Sequence, residues 1–559
     1  MKIFIFLSCL ILNAMSTNAQ WSMNPSINTP ICTATGKQID MRMMEDGKGG
    51  AFITWKDYRT TTNIPDIYIQ RVNAKGIALW TNNGIALCTD SADQSTPNIT
   101  TDMKGGAIVA WSDWRSYIER DIYAQRVDSN GQILWTINGA NVTDSSAREH
   151  SEKIISDGHG GIIIIFEKQV YTTTSHWEIW AQRLDSSGTK KWGKGGVSLS
   201  LSNTNKRNHK VQKDRNGGAF IVWQDLNIAG NYDVYGQHIN ANGILLWGNN
   251  GKAICNATGD QINAKIDPDS INNGAFIAWQ DTRNSTDYDI YIQRVDSNGN
   301  SIWNTNGVVV SNANNNQSAL DLMSISTTNE TIITWKDNRN GDYDIYAQKL
   351  NSNGIAQWTA NGKVICNSLK DQINPNICTD ENKGAIIVWQ DSSAGDWNVM
   401  AQKIDNNGVI QWANNGEIVS NATNEQSSPK NVTDGKGGSI FAWQDKRSGT
   451  FDIYTHHLFS SGSPNAIQDN LKIVSTNLYP NPCRNQFLLS YTLATSDYVR
   501  IQLLDITGQM MQVLDDGSKQ EHAGEHHITC NVHALPVGLY TVEIKNNNFH
   551  KAIQLLKMN

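Results

Sequence analysis

One phrase recurs through most of this chain. Trp279 to Trp303 reads WQDTRNSTDYDIYIQRVDSNGNSIW, and close copies begin at Trp55, Trp111, Trp223, Trp335, Trp389 and Trp443. A degenerate eighth copy begins at Phe166, and successive copies lie 54 to 57 residues apart. A fixed period of this size marks a solenoid or a ring of blades, because each unit is one supersecondary element that cannot cover its own apolar faces.

Each unit divides into four strand-like pieces. In the fifth copy they are DQINAKID, GAFIAWQD, DIYIQRVD and SIWNTNGVVV, separated by NNG, DSNG and NTNG. Val, Ile, Phe, Tyr and Trp crowd the pieces, while the Asn, Asp and Gly between them suit tight hairpins. Ala275, Ile277 and Trp279 fall on one face of the second piece, Phe276 and Ala278 on the other. Both faces are apolar, so each sheet must be covered on both sides.

The ends decide between an open stack and a ring. The last copy stops after its third piece, at HHLFSSGSP, whereas WSMNPSINTPICTATGKQID near the start reads as a fourth piece followed by a new unit. Trp21 then takes the place of Trp303, and Ile31-Cys32 that of Ile254-Cys255. An N-terminal strand that completes the last unit closes a ring; a solenoid would need polar caps instead. Residues 21–463 thus resemble a β-propeller repeat family of secreted bacterial proteins, with the unit GG-x-W-x-D-x-R…D-I-Y-x-Q-R-V-D-x-x-G. The expected fold is all-β: an eight-bladed propeller closed by the N-terminal strand, then a small immunoglobulin-like sandwich. Seven blades would result if the third copy were partly extruded. The Ser-x-Asp-x-Gly-x-Thr-Trp box of sialidases is absent.

The first residues, MKIFIFLSCLILNAMSTNAQ, carry one Lys, an apolar run and a small-x-small site at Thr17-Asn18-Ala19. They read as a signal peptide over residues 1–19, with Gln20 the first mature residue. A lipoprotein cut before Cys9 would leave too short an apolar run. No other stretch approaches the roughly eighteen apolar residues of a membrane span. The expected organisation is residues 20–463 propeller, 464–474 linker and 475–559 a terminal domain. Net charge is −7 with no basic block, which argues against nucleic acid.

Cys32, Cys88, Cys255 and Cys366 occupy one repeat position and are expected to be buried and unbridged. Cys483 and Cys530 could pair within the last domain. The Asp of each Trp-x-Asp is often followed by Arg two residues on, as in Asp57/Arg59 and Asp337/Arg339. A ring of ligand-binding carboxylates is one reading; an Asp that accepts backbone N–H groups in the turn, with Arg beside it, is favoured because nearly every unit needs it. DSNG at Asp128 and Asp296 lacks the later ligands of a calcium loop and reads as a hairpin turn. No cofactor or metal is expected.

A site would have to break the repeat, and the third copy breaks it most. It places Phe166, Glu167 and Lys168 where Trp-x-Asp stands elsewhere and adds His176, Trp177 and Glu178. Glu167, Lys168, His176, Trp177 and Glu178 are the candidate ligand residues, with plain repeat drift as the favoured alternative. No residue is assigned a catalytic role.

The last 85 or so residues change pattern. Tyr479-Pro480-Asn481-Pro482, Leu504-Asp505 with Gly508-Gln509, Gly524 with His526, Leu535 to Tyr540 including Gly538, and Lys551 at the start of the last strand resemble the C-terminal sorting domain of the type IX (Por) secretion system. The resemblance implies export through the periplasm, engagement of that secretion machinery, and release or attachment at the cell surface. The expected function is a non-enzymatic binding or adhesion module for glycans or proteins; a polysaccharide-active hydrolase or lyase with its site over the propeller channel is the alternative.

Overall fold

A computed structural model describes residues 21–22, 24–60, 64–143, 147–171, 175–284, 287–463, 473–493, 496–506, 509–545 and 550–558. The expected signal peptide, linker residues 464–472 and Gly508 lie outside these. The chain divides into two compact units, residues 1–464 and 465–559.

The first unit contains eight antiparallel four-stranded sheets, one per repeat. Blade 1 runs Gln38–Glu45, Ala51–Asp57, Asp66–Val72 and Ile85–Cys88, from the innermost strand outwards. The third copy is not extruded: Glu149–Ser156, Ile162–Tyr171, Ser175–Leu184 and Val197–Ser198 form a complete blade 3. Eight is therefore the blade number. The alternation read along GAFIAWQD places Ala275, Ile277 and Trp279 in one inter-blade core and Phe276 and Ala278 in the next.

Blade 8 takes its outermost strand from the other end of the chain. Thr29–Cys32 pairs antiparallel with Asp452–Leu458, with Thr29 opposite Thr455 and Cys32 opposite Ile453. The Trp21 indole N–H donates to the Ala74 carbonyl at 2.9 Å. That bond repeats around the ring, for example from Trp247 to Ser297 at 2.9 Å, Trp303 to Ser352 at 3.0 Å and Trp412 to Ser460 at 3.1 Å. Each of these indoles is held by the third hairpin of the following blade.

The same commitment shortens the fourth strand. SIWNTNGVVV reads as one strand in sequence, but the ladder covers only Val308–Ser311, with a single isolated bridge from Ser301 to Val295. Trp303 is engaged with the next blade, and Asn306 and Gly307 turn through φ of 63° and 84°. A ladder cannot run through positive φ at two successive residues.

The second unit is a two-sheet antiparallel sandwich. Ile473–Tyr479, Gln486–Leu493 and Gly524–Asn531 form one sheet; Met510–Glu521, Asp497–Leu504, Gly538–Lys545 and His550–Lys557 form the other. Phe487, Leu489, Tyr491, Val499, Ile501, Leu503, Val542 and Ile544 fill the space between. Cys483 and Cys530 are buried free thiols in this core, so the pairing open to them in sequence is not made.

Candidate functional site

The repeated carboxylates are consumed by the blades themselves. The indole N–H of each Trp-x-Asp tryptophan donates to its own Asp, at 2.7 Å for Trp55–Asp57 and 2.9 Å for Trp335–Asp337. Where Arg follows, it closes a bracket: Arg59 Nη2 lies 2.6 Å from Asp57 Oδ2, its Nε donates to Oδ1 at 3.0 Å, and its guanidinium sits 3.8 Å over the Tyr68 ring. The Arg59 backbone N–H also donates to Asp57 Oδ1, at 2.9 Å. Bidentate charge-assisted bonds suit a buried carboxylate, and little acceptor capacity is left for a ligand. Cys32, Cys88 and Cys255 prove to be more than apolar filler, since each sulfur accepts from the bracket arginine, at 3.2, 3.4 and 3.0 Å. Burial pushes these thiols up to about 12. The DSNG stretches are hairpin turns: Asp128 Oδ1 accepts from the N–H groups of Asn130 and Gln132, and Gly131 has φ of 86°.

The innermost strands build something different. Each carries a bulge whose first extra residue is non-glycine with φ between 51° and 61°: Asp40, Thr96, Ser151, Asn208, Asn263, Ala319, Asn374 and Ser428. Such a backbone costs on the order of 1–3 kcal/mol per residue and persists only where neighbours over-determine it. In five blades the determinant is the middle residue of Trp-x-Asp in the preceding blade. Gln224 accepts the N–H of Asn263 at 3.0 Å, Gln280 that of Ala319 at 3.3 Å, Gln390 that of Ser428 at 3.2 Å, and Gln444 that of Asp40. Glu167 does the same for Asn208, at 2.9 Å.

The bulge aims one further residue per blade at the axis: Arg42, Asn98, Lys153, Lys210, Lys265, Asp321, Asn376 and Lys430. All eight are half-buried. A central cavity of about 750 Å³ is lined by Arg42, Lys153, Lys210, Lys265 and Lys430 among others. Lys265 pairs with Asp321 at 3.1 Å, and Asp321 also accepts from Asn376. The other four cations have no carboxylate partner among the described residues: Arg42 donates to the Met41 carbonyl, Lys153 to that of Glu152 and Lys210 to that of His209. Burial, and then the charges of Lys153 and Lys265, push Lys210 down to about 7, with Arg42 adding and Glu167 opposing. Burial likewise pushes Lys430 down to about 8, Asp321 opposing and Lys265 and Arg42 adding. Burial also lowers Lys153 and Arg42. A lysine whose folded pKa lies below its unfolded one costs stability while both states are protonated, and that cost shrinks as pH rises from the folded pKa to the unfolded one. The cavity therefore gathers these five basic side chains, of which Lys210 is only about half protonated at pH 7.

No run of basic residues announces this ring, because its members stand about one repeat apart. The signal was nevertheless present. Each ring residue lies four positions after the first residue of the inner strand (Gln38, Gln94, Glu149, Lys206, Gln261, Gln317, Gln372 and Gln426).

The third-blade candidates fall on two faces of that blade. Lys168 lies opposite Glu178 and Val170 opposite His176, so Lys168, Glu178 and His176 share one face; Glu167 and Trp177 share the other. Lys168 stands where Asp stands elsewhere; it pairs with Glu149 at 3.3 Å and sits 4.6 Å from the Trp180 ring centroid. Glu178 accepts the Trp180 indole N–H at 2.8 Å and lies 3.2 Å from His176 Nε2. Cation over aromatic and indole to carboxylate are both retained, on exchanged positions. Trp177 lies between His150, 4.4 Å between ring centroids, and Arg207 at 5.0 Å. Burial would raise Glu167, but His209, His150 and the Asn208 N–H outweigh it and hold this carboxyl below its usual range. Since glutamine fills the equivalent position in blades 4, 5, 7 and 8, Glu167→Gln is expected to leave the unfolding free energy, read by denaturant titration, within about 0.5 kcal/mol of the parent. Glu167→Ala, which removes a buried carboxylate and leaves the part-buried Asn208 N–H without its acceptor, is expected to cost about 1–3 kcal/mol.

In the second unit, the motif residues hold strand ends. Asn481, between Pro480 and Pro482, donates to the Gln554 carbonyl at 2.8 Å and accepts from the Leu556 N–H at 3.0 Å. Asp505 Oδ1 caps its hairpin by accepting the Gln509 N–H at 2.9 Å. Gly524 has φ of 127°, and His526 stacks on Tyr491 with 5.1 Å between centroids. Gly538 opens the strand on which the Tyr540 hydroxyl donates to the Pro536 carbonyl at 2.7 Å, while Lys551 lies opposite Ile544 on the last strand. Tyr479 is 73% exposed.

Residues 477–557 match a family model described as a secretion system C-terminal sorting domain. No curated protein matches the chain. Among solved structures, an ulvan lyase of polysaccharide lyase family PL25 is similar at 10% identity, over 81% of this chain and 98% of its own, with a TM-score of 0.41. PorZ, a surface component of the type IX secretion system of Porphyromonas gingivalis, is similar at 12% identity, over 94% and 81%, with a TM-score of 0.25. An endo-arabinase from Bacteroides thetaiotaomicron is similar at 15% identity, over 48% and 96%, with a TM-score of 0.29. At these scores the propeller stands on the eight sheets themselves. The C-terminal domain makes the chain a type IX secretion cargo, addressed to the cell surface or the extracellular space. No helix among the described residues is long and apolar enough to cross a membrane.

Proposed function

We propose that the protein is a non-enzymatic binding module of the cell surface or extracellular space, which takes a glycan at the mouth of its axial channel. One observation carries this reading. Four cations without a carboxylate partner among the described residues, Arg42, Lys153, Lys210 and Lys430, face one axial cavity, whereas the Trp-x-Asp carboxylates that carry an Arg bracket are spent inside the blades. Glycoside hydrolysis calls on two carboxylates flanking one bond. Among the eight axial positions Asp321 is the one carboxylate, and it is already bonded to Lys265 and Asn376. Of the third-blade set, Glu167 and Trp177 engage blade 4, while Lys168, His176 and Glu178 are paired within blade 3. A cavity of about 750 Å³ suits a short stretch of sugar chain.

The test is depletion of the full chain from solution by a panel of insoluble polysaccharides, with and without calcium. Saturable retention on one of them, unchanged in Glu167→Gln, is the expected result. Retention on none would remove the glycan reading and turn attention to protein partners.

A second reading has one observation in its favour. Lys210, near neutrality in pKa, is the type of base that removes a proton beside a uronate carboxylate, while neighbouring cations neutralise that carboxylate. Such an elimination breaks the C4–O bond and leaves a double bond. Ultraviolet-absorbing unsaturated ends released from uronate polymers would establish a lyase; their absence would leave the binding module.

A further inference from the structure

The axial ring is one-sided in charge, although the chain as a whole is acidic. Arg42, Lys153, Lys210, Lys265 and Lys430 come from five blades and face one cavity; a single carboxylate, Asp321, stands at the same level. Ordinary surface lysines spread into bulk water. These are held by the bulges of their strands, half-covered, and close enough to depress one another. Like charges gathered in a low-dielectric recess repel, and nothing in the packing of the blades calls for them. Asn98 and Asn376 fill the same position in blades 2 and 7, so a neutral side chain is tolerated there.

We propose that this ring is a binding site for a multiply charged oxyanion, the sulfate, phosphate or carboxylate groups of an anionic glycan or the same groups on a free small ion. The proposal rests on the reading of the channel as the binding site and gives that site its ligand chemistry. An anion among these cations restores their protonated forms, so binding takes up protons, and affinity falls as pH rises through the region from about 7 to about 8 where Lys210 and Lys430 titrate. The acids facing the ring do not reverse this sign. Asp321 is paired; Glu152 is raised by burial and accepts from Thr96 and Ser112; Asp267 is pushed up to about 6 by burial and so is ionised above that. Glu167 is held by His209, His150 and Asn208, and Asp40 lies beside Lys56. The remaining cation of the cavity, Lys336, is lowered by burial and acts in the same direction as the ring.

The experiment is calorimetric titration of the full chain with dextran sulfate, sodium sulfate and sodium phosphate, with neutral dextran as control. The expected result is binding of the sulfated polymer but not of dextran, with proton uptake at pH 7.5 seen as a dependence on buffer ionisation enthalpy. Lys210→Met/Lys430→Met is expected to weaken binding by about tenfold or more and, because it relieves repulsion, to fold at least as well as the parent. Displacement of the polymer by millimolar sulfate or phosphate would identify a free ion as the ligand; binding of the polymer alone would identify a glycan. Equal binding by the double variant, equal binding of dextran, or no proton uptake would overturn the proposal. Retention on a neutral polysaccharide that the double variant preserves would overturn it while leaving the binding module intact.

Discussion

Deleting residues 21–32 from the full chain is expected to destabilise the propeller by on the order of 5 kcal/mol or more, through lost burial of Trp21 and Ile31 and a lost strand ladder. The strand closes the ring rather than decorating it. Without it, Asp452–Leu458 becomes an open edge and Arg447 loses its bonds to the carbonyls of Ser26 and Ile27 and to the Asn28 side chain. A ring closed by one strand stores cooperativity in that seam, so the equilibrium denaturation curve is expected to broaden as well as shift. Trp21→Ala, which spares the ladder, is expected to give a smaller shift of about 3 kcal/mol. An unchanged curve for the deletion would mean that the seam contributes nothing to closure.

The second large effect lies in the brackets. Asp281 is fully buried and accepts from Trp279, from the Arg283 backbone and from its guanidinium. Asp281→Ala leaves that guanidinium half-buried without its anion and is expected to cost about 3–5 kcal/mol. Blade 7 supplies the control. Asp391 has Ser393 where blades 1, 2, 5, 6 and 8 have Arg, so Asp391→Ala strands an indole N–H and a hydroxyl but no charge. Its expected cost is about 1–3 kcal/mol. Equal costs at the two positions would show that the arginine is a bystander.

Much of this was legible in the sequence because it is carried by residues close together along the chain. The hairpins, the two apolar faces of each second strand and the Asp–Arg pairs all join residues within one repeat. Closure was legible because Trp21 and Ile31-Cys32 repeat a phrase that the last copy lacks. The bond from Gln224 to Asn263 was not, because it joins adjacent blades through a bulge that no residue type announces: the positive-φ positions hold Asp, Thr, Ser, Asn and Ala alike. The cationic ring was hidden for the same reason. Charge clusters are sought along the chain, whereas these five cations meet only when the ring closes. Substitution in the third copy drew attention to Glu167, yet its hydrogen bond to Asn208 is the one glutamine makes in blades 4, 5, 7 and 8.

The most direct test is competitive acylation of the lysines of the full chain across pH 6 to 11, read peptide by peptide by mass spectrometry, with and without dextran sulfate. Lys210 is expected to reach half its full reactivity near pH 7 and Lys430 near pH 8, with both midpoints moving upward and both sites protected when the polymer is bound. Midpoints near the ordinary lysine value of about 10.4, unmoved by the polymer, would mean that the channel cations do not share one enclosed space and that the ligand site lies elsewhere.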